Sequence, residues 1–165
     1  MPYDVVAIGE VLWDVFPDER RPGGAPCNVA YHATVLGDHG AVVTRVGTDG
    51  DGEELTTFLA QRNVDVSCVQ RDSDHRTGTV LVSFDDGEPR YVIVEDVAWD
   101  HIQPTKEALQ LVAHAHAVCY GSLVQRAPIS RHSVHELLLS ASPDALIVLD
   151  VNLRPPFVDA VVLEA

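Results

Sequence analysis

Two glycines followed by an asparagine form the pattern in this chain that best fits ligand binding. Gly23 and Gly24 precede Pro26, and Asn28 follows two residues later. Glycine allows positive φ and close approach of a ligand to the backbone, and proline is common in the first turn of a helix. A helix N-terminus offers free N–H groups and a positive dipole end to oxygen-rich ligands. The amide of Asn28 both donates and accepts, so the pattern suits a polyol; the alternative is an ordinary strand-to-helix loop.

The glycine pair lies between two other segments, and the three together resemble the amino-terminal half of the PfkB family of carbohydrate kinases, within it the fructokinase-like branch. They read GEVLWDVFPD (residues 9–18), GGAPCNVA (residues 23–30) and TRVGTDGDGEEL (residues 44–55). The resemblance continues through TGTVLVSFDDGEPRYVIV, AWDHI and YGSLVQR to LDVNLRPP, and so spans nearly the whole chain. It implies a ribokinase-like α/β fold, a sugar bound between the edge of the sheet and a small β-lid, and phosphoryl transfer from ATP to a sugar hydroxyl.

The resemblance also implies which residues contact the sugar. By position, Asp14, Gly24 and Asn28 are the contacts to sugar hydroxyls, with Gly23 in the same turn. A carboxylate acceptor and an amide of both polarities can hold vicinal hydroxyls in one orientation, and charge-assisted hydrogen bonds are the stronger kind. The alternatives are an exposed loop carboxylate for Asp14 and a helix cap for Asn28.

Three further residues complete the predicted site. Arg154 follows a buried strand and resembles the family's arginine near the substrate and phosphate region; the alternative is a surface arginine before two prolines. Gly121 ends a buried strand where the family brings backbone close to substrate; the alternative is a plain turn. Tyr91, like Val82, is predicted to contact the sugar from the lid, and the alternative for both is core packing.

The segment that performs catalysis in this family has no counterpart in the sequence. No Gly-Ala-Gly-Asp tetrapeptide, which supplies the anion hole and the catalytic aspartate, occurs in the 165 residues. No Walker-type phosphate loop replaces it, and Lys106 is the only lysine. Phosphoryl transfer depends on positioning and on stabilisation of the transferring group. We therefore predict no catalytic residue in this chain and assign ATP and Mg²⁺ to the missing carboxy-terminal nucleotide-binding part. The apolar run at 161–163 has no helix stop signal, which predicts that the polypeptide continues.

The resemblance leaves several functions open. The first is the sugar-binding half of a fructokinase-like kinase, inactive alone, which acts on fructose with its other half in cis or in trans. The second is a noncatalytic sugar-binding or dimerising remnant of a truncated kinase. A nucleoside kinase of the same family is a weaker third, because GEVLWDVFPD and AWDHI fit it less well. Cys27 occupies a position that is often aromatic in close fructokinase relatives, which could alter the pocket wall.

Charge and cysteine usage narrow the class of protein. The chain has 11 Lys plus Arg against 25 Asp plus Glu, a net charge of −14, which argues against binding nucleic acid or anionic membranes. Its three cysteines lack Cys-x-x-Cys spacing, so neither a disulfide framework nor a zinc ribbon is expected. His114 and His116 have no carboxylate or cysteine partner at ligand spacing, and we predict no metal site. Without a leader or a long apolar run, a cytoplasmic location is expected.

Alternating strands and helices must position these residues. The pattern predicts strands at 3–9, 41–47, 116–121 and 145–151, and helices at 26–37, 52–62, 105–113 and 128–141. Such alternation predicts an α/β fold with a mostly parallel sheet flanked by helices. The resemblance implies lid strands at about 12–16 and 64–98, and residue composition predicts a hairpin turn at 85–89. Because exposed hairpins pair edge to edge, the lid is also a candidate homodimer surface. The resemblance implies that residues 1–165 are the amino-terminal sugar-binding part of one kinase domain, and the length of the chain fits a single core.

Overall fold

A computed structural model of the chain describes residues 3–85 and 88–157. In these two stretches the strands are β1 (Tyr3–Ile8), β2 (Leu12–Val15), β3 (Arg20–Gly23), β4 (Gly40–Gly47), β5 (Val69–Asp72), β6 (Gly78–Asp85), β7 (Glu88–Ile93), β8 (Ala115–Gly121) and β9 (Leu146–Asp150). The α-helices are α1 (Ala25–Leu36), α2 (Gly50–Ala60), α3 (Lys106–Ala113) and α4 (Pro128–Leu139), and 3₁₀ helices lie at Ala98–His101 and Leu123–Arg126. The apolar run at 161–163 and the middle of the predicted turn at 85–89 lie outside the described residues.

The larger sheet has five strands in the order β5-β4-β1-β8-β9, and every pairing is parallel. Its central strands are nearly continuous apolar runs, as expected for a parallel sheet covered on both faces. Val6 and Ile8 pack with Trp99 and Leu137 on one face, while Ala7, between them in sequence, packs with Leu55 on the other. The predicted mostly parallel α/β sheet is confirmed.

The smaller sheet, which we call the lid, has four strands in the order β3-β2-β6-β7. Strands β2 and β6 are parallel, and the two outer pairs are antiparallel. Leu12, Val80 and Val82 form a small separate core between the lid strands. Four large apolar side chains of the lid are exposed: Leu81, Phe84, Tyr91 and Val92.

The lid differs from its predicted extent in two ways. The segment 64–98 was too wide, because residues 69–72 form β5, which pairs with β4 in the larger sheet. Ala98, at the other end of that segment, is fully buried in the main core region. Conversely, β3 is a lid strand that the sequence did not predict. Its Arg-Arg-Pro-Gly composition gives no strand pattern, and a proline such as Pro22 is tolerated because β3 is an edge strand.

The described residues contain no helix with the length and apolar composition needed to cross a bilayer. The three cysteines are buried free thiols, as their number and spacing predicted.

Candidate substrate pocket

A cavity of about 240 Å³ lies where the larger sheet, the N-terminus of α1 and the lid meet. Its wall includes Glu10, Leu123 and Asn152, which lie two positions after the ends of β1, β8 and β9, so the cavity opens at the carboxyl edge of the parallel sheet. Ligands of open α/β sheets bind beyond this edge. The lining residues are Glu10, Leu12, Asp14, Gly24, Ala25, Asn28, Val80, Tyr91, Ile93, Leu123, Asn152 and Arg154.

Five of the seven predicted site residues line this cavity. They are Asp14, Gly24, Asn28, Tyr91 and Arg154. They come from three parts of the fold: the lid, the first turn of α1 and the segment after β9. The two residues that do not line the cavity are Gly23 and Gly121.

The N-terminus of α1 is open toward the cavity. Gly24 is its N-cap with φ of 107°, and no side chain caps the helix. A Cβ atom at Gly24 would lie 2.2 Å from the carbonyl oxygen of Glu10, so the position requires glycine both for its φ and for space. Asn28 belongs to the first turn, where its N–H donates to Gly24 O at 3.0 Å. Its side chain is exposed and lines the cavity, so the alternative that Asn28 caps the helix is wrong.

Asp14 projects into the cavity from β2. The residue is partly buried, and burial raises the pKa of its carboxyl above the ordinary value. Gly23 is the last residue of β3, beside Asp14, and is not part of the turn. A Cβ atom at Gly23 would lie 2.2 Å from Asp14 Oδ2. Gly23 therefore leaves room for the carboxylate, and it does not itself line the cavity.

The remaining predicted residues lie at different depths. Tyr91 is 59% exposed and reaches the cavity from β7, whereas Val82 is 4% exposed and packs in the lid core, which was its alternative. Gly121 pairs with Asp150 at the end of β8. The nearest atom to a Cβ at Gly121 would be 3.8 Å away, so nothing in the structure requires glycine there. Arg154 is exposed at the mouth of the cavity.

The family described as pfkB family carbohydrate kinase matches residues 4–165. The chain belongs to the pfkB family of carbohydrate kinases. The predicted family is therefore confirmed.

Relatives of known sequence or structure agree with this membership. A sugar kinase of Pyrococcus horikoshii, described as uncharacterized, is 33% identical over 152 residues, which are 92% of this chain and 49% of the relative. Its crystal structure gives a TM-score of 0.86 and covers 93% of this chain and 54% of that one. A fructokinase of Salmonella typhimurium is 31% identical over 92% of this chain and 51% of its own length. The structure of a Vibrio cholerae fructokinase gives a TM-score of 0.81 at 27% identity and covers 94% of this chain and 55% of that one.

These comparisons confirm the predicted ribokinase-like α/β fold. The chain spans about half the length of the curated relatives it matches. A second structure of the Pyrococcus horikoshii protein is a complex with ATP.

Glu10 is a residue of this pfkB-family pocket that sequence reasoning missed. It follows β1 at the sheet edge and is 1% exposed, and its Oε2 has no hydrogen-bond partner among the described residues. Burial raises the pKa of Glu10 to about 7, although the backbone N–H groups of Glu10 and Ala25 oppose this shift. Burial, together with the neighbouring Glu10, raises the pKa of Cys27 to about 12. A carboxylate directly after a buried strand was the signal that could have identified Glu10.

The pocket combines groups that suit several hydroxyls at once. Glu10 and Asp14 supply carboxyl oxygens, Asn28 and Asn152 supply amides, and Arg154 supplies a guanidinium. Arg154 is the single cation among the described lining residues, and Lys106 is exposed at the start of α3. The described lining therefore suits a small neutral polar ligand better than a nucleoside triphosphate.

Proposed function

We propose that this chain is the sugar-binding half of an ATP-dependent carbohydrate kinase of the fructokinase type, with fructose as the phosphoryl acceptor. The observation that carries the proposal is the cavity in which Asp14, Asn28 and Arg154 converge, in a chain of the carbohydrate kinase family. The fructokinases among its relatives support fructose as the sugar.

The size and lining of the cavity favour a monosaccharide. Pockets for drug-sized ligands have volumes of about 300–1,000 Å³, and the cavity of about 240 Å³ is smaller than this range. Apolar side chains from the lid, such as Val80 and Ile93, form one wall, while the polar groups lie on the sheet and helix side. A pyranose or furanose ring has the matching apolar face and hydroxyl rim.

Each polar residue then has a distinct role toward the sugar. Asp14 accepts hydrogen bonds from hydroxyls, and Asn28 donates and accepts beside it at the N-terminus of α1. Closure of the lid, with Tyr91 at its edge, excludes water and holds the acceptor hydroxyl in one orientation. ATP and Mg²⁺, when bound in the complete enzyme, supply the phosphoryl group and neutralise its charge.

We propose that the rest of the enzyme packs against β9, at the edge of the larger sheet. This strand pairs only with β8 among the described strands, and four of its side chains are exposed apolar residues: Leu146, Ile147, Val148 and Leu149. A carboxy-terminal half in cis or in trans would cover this edge and bring the nucleotide site. The exposed lid residues form a second surface, which we propose as the homodimer contact.

Calorimetry of the 165-residue chain with fructose tests the proposal, with ribose and adenosine for comparison. We expect fructose to bind, and Asp14→Asn to weaken binding by about 10- to 100-fold, the value of a hydrogen bond to a charged group. Asp38→Asn is the matched control, because Asp38 is exposed in the turn between α1 and β4. Equal affinity in the two variants, or preference for adenosine, would contradict a fructose site.

Reconstitution with a carboxy-terminal polypeptide distinguishes the kinase half from the second candidate, a noncatalytic remnant. A carboxy-terminal polypeptide that contains a Gly-Ala-Gly-Asp segment is added to the chain with ATP and Mg²⁺. Fructose phosphorylation that depends on both polypeptides supports the kinase half. Sugar binding without any turnover in the mixture supports the remnant.

A further inference from the structure

Two histidines and an aspartate that are far apart in sequence meet at the base of the lid. Asp96 Oδ1 is 3.1 Å from His101 Nε2 and 3.7 Å from His75 Nε2. Ligand atoms from the three side chains all lie within 4.8 Å of one another. The imidazole rings of His75 and His101 are stacked with centroids 3.6 Å apart. None of these residues lines the sugar cavity.

The orientation of His75 is fixed by a buried carboxylate. The side chain of Asp72 is 0% exposed, and its Oδ2 lies 3.0 Å from His75 Nδ1 and 2.7 Å from Arg45 Nε. Its Oδ1 accepts from the backbone N–H groups of Asp74 and His75 at 2.8 and 3.0 Å.

Asp72, whose carboxylate pairs with Arg45, sets the tautomer of His75. Its carboxylate can only accept, so the ring carries its proton on Nδ1 and presents the lone pair of Nε2 toward Asp96. A carboxylate that holds the second nitrogen of a histidine is the usual outer contact of a metal-ligating imidazole. Arg45 also donates from Nη1 to the carbonyl oxygen of His101 at 3.0 Å, so the same arginine anchors both histidine segments.

Two of the three separations between the ligand atoms, those from Asp96 Oδ1, are close to the separations around a small divalent ion. Tetrahedral Zn²⁺ has bonds of about 2.0–2.2 Å, which places its ligand atoms about 3.3–3.6 Å apart. The observed 3.1 and 3.7 Å lie on either side of this spacing. The ring of His101 must turn out of the stack so that its lone pair faces the ion, while Asp72 holds His75. Two imidazoles and one carboxylate select Zn²⁺ or a similar transition metal over Mg²⁺ and Ca²⁺.

We propose that His75, Asp96 and His101 form a binding site for one divalent transition-metal ion, for which Zn²⁺ is the probe. His75 lies before lid strand β6, Asp96 lies after lid strand β7, and His101 belongs to the 3₁₀ helix of the main body. A bound ion would therefore link the segments before β6 and after β7 to the 3₁₀ helix of the main body. The sequence indicated no metal site because these three residues do not form a short sequence motif typical of metal ligands.

Titration of the chain with Zn²⁺ alone, by calorimetry, tests the site, and Co²⁺ absorption reports the coordination. We expect one ion per chain, and a loss of at least about tenfold in affinity for His75→Ala, His101→Ala and Asp96→Asn. Asp72→Asn is expected to lower affinity by about 10- to 100-fold without removing a ligand. Asp96→Asn is the decisive variant, because Asp96 is 81% exposed and has φ of 55°, which asparagine tolerates, so the fold is retained.

A second cluster of the same residue types is the matched control. His39 Nδ1 and His116 Nδ1 contact different oxygens of Asp4, at 3.0 and 3.1 Å, so their nitrogens do not converge on one point. His39→Ala and His116→Ala are expected to keep full Zn²⁺ affinity. A chain that binds no Zn²⁺, or that binds it equally well after Asp96→Asn, overturns the site. Amide exchange at residues 94–97 that does not slow with Zn²⁺ overturns the tie to the lid.

Discussion

Gly23 is packed so closely behind Asp14 that a methyl group there would displace the carboxylate, since the Cβ would lie 2.2 Å from Asp14 Oδ2. We expect Gly23→Ala to weaken fructose binding by about tenfold, the value of one charged hydrogen bond, although Gly23 does not line the cavity. Gly50→Ala is the control, because a Cβ at Gly50 meets nothing within 4 Å.

A double-mutant cycle separates this effect from general destabilisation. If Gly23 acts through Asp14, then Gly23→Ala causes little further loss of fructose affinity in the Asp14→Asn background. Additive losses would show that Gly23 acts on the pocket by another route.

Glu10 makes the stability of the chain depend on pH. Its pKa is about 7 in the folded chain against an ordinary 4.5. Between these values the folded state holds a proton that the unfolded state has released, so the free energy of unfolding falls as pH rises from about 4.5 to about 7. The pKa difference corresponds to about 3 kcal/mol. Glu10→Gln should remove this fall, measured by urea unfolding at pH 5 and pH 8.

The control for this measurement is Glu107→Gln, because Glu107 is exposed in the first turn of α3. It should leave the difference between pH 5 and pH 8 unchanged. An equal pH dependence in wild type and Glu10→Gln would show that Glu10 does not carry a raised pKa.

The sequence predicted which polar residues line the pocket better than it predicted how these residues are packed. Asp14, Gly24 and Asn28 stood in short motifs, and all three line the cavity. Glu10 was missed because its importance comes from burial, and burial depends on where α1 and the lid pack. The positioning role of Gly23 was also hidden, because it depends on a neighbour across two paired strands.

A buried ion pair joins the elements between lid and body. The guanidinium of Arg126 donates to both oxygens of Asp100 at 2.8 and 2.7 Å, and to the carbonyl oxygen of Val94 at 2.7 Å. It also lies over the ring of Trp99. The two side chains are 6% and 5% exposed, so removal of one partner leaves a buried charge. We expect Asp100→Ala to cost about 3–5 kcal/mol of unfolding free energy, measured by urea denaturation.

An exposed pair in the lid provides the comparison for this prediction. Asp85 pairs with Arg90 at the end of the β6–β7 hairpin, where the side chains are 55% and 70% exposed. Asp85→Ala should change stability little, since exposed ion pairs contribute little. Equal destabilisation by the two variants would mean that burial does not set the cost.

The predicted elements agree with the structure where periodicity is strong. The four predicted helices and the predicted strands of the larger sheet are confirmed, with ends that differ by one or two residues. Strand β5 was placed in the lid because short β-rich segments between 64 and 94 look alike, and its pairing with β4 is set by contacts distant in sequence. Strand β3 was missed because two arginines, a proline and a glycine form a strand only through pairing with β2.

At the scale of the whole molecule, each of the two sheets has an edge strand with exposed apolar side chains. Strand β9 ends the larger sheet, and β7 ends the lid. Leu146 is 64% exposed on the first and Val92 is 58% exposed on the second. An unpaired edge strand with exposed apolar side chains is a site for association with another chain. Either edge can therefore determine how the chain assembles.

Charged substitutions at the two edges distinguish these contacts. We expect the chain to self-associate, and Leu146→Lys with Val148→Lys to reduce association, because lysines on an edge strand oppose pairing. Sedimentation velocity over a range of chain concentrations measures the effect. The matched variant is Leu81→Lys with Val92→Lys in the lid, whose side chains are 47% and 58% exposed. If only the lid variant fails to associate, the contact is a lid dimer. A wild-type chain that stays monomeric would contradict the expected self-association through either edge.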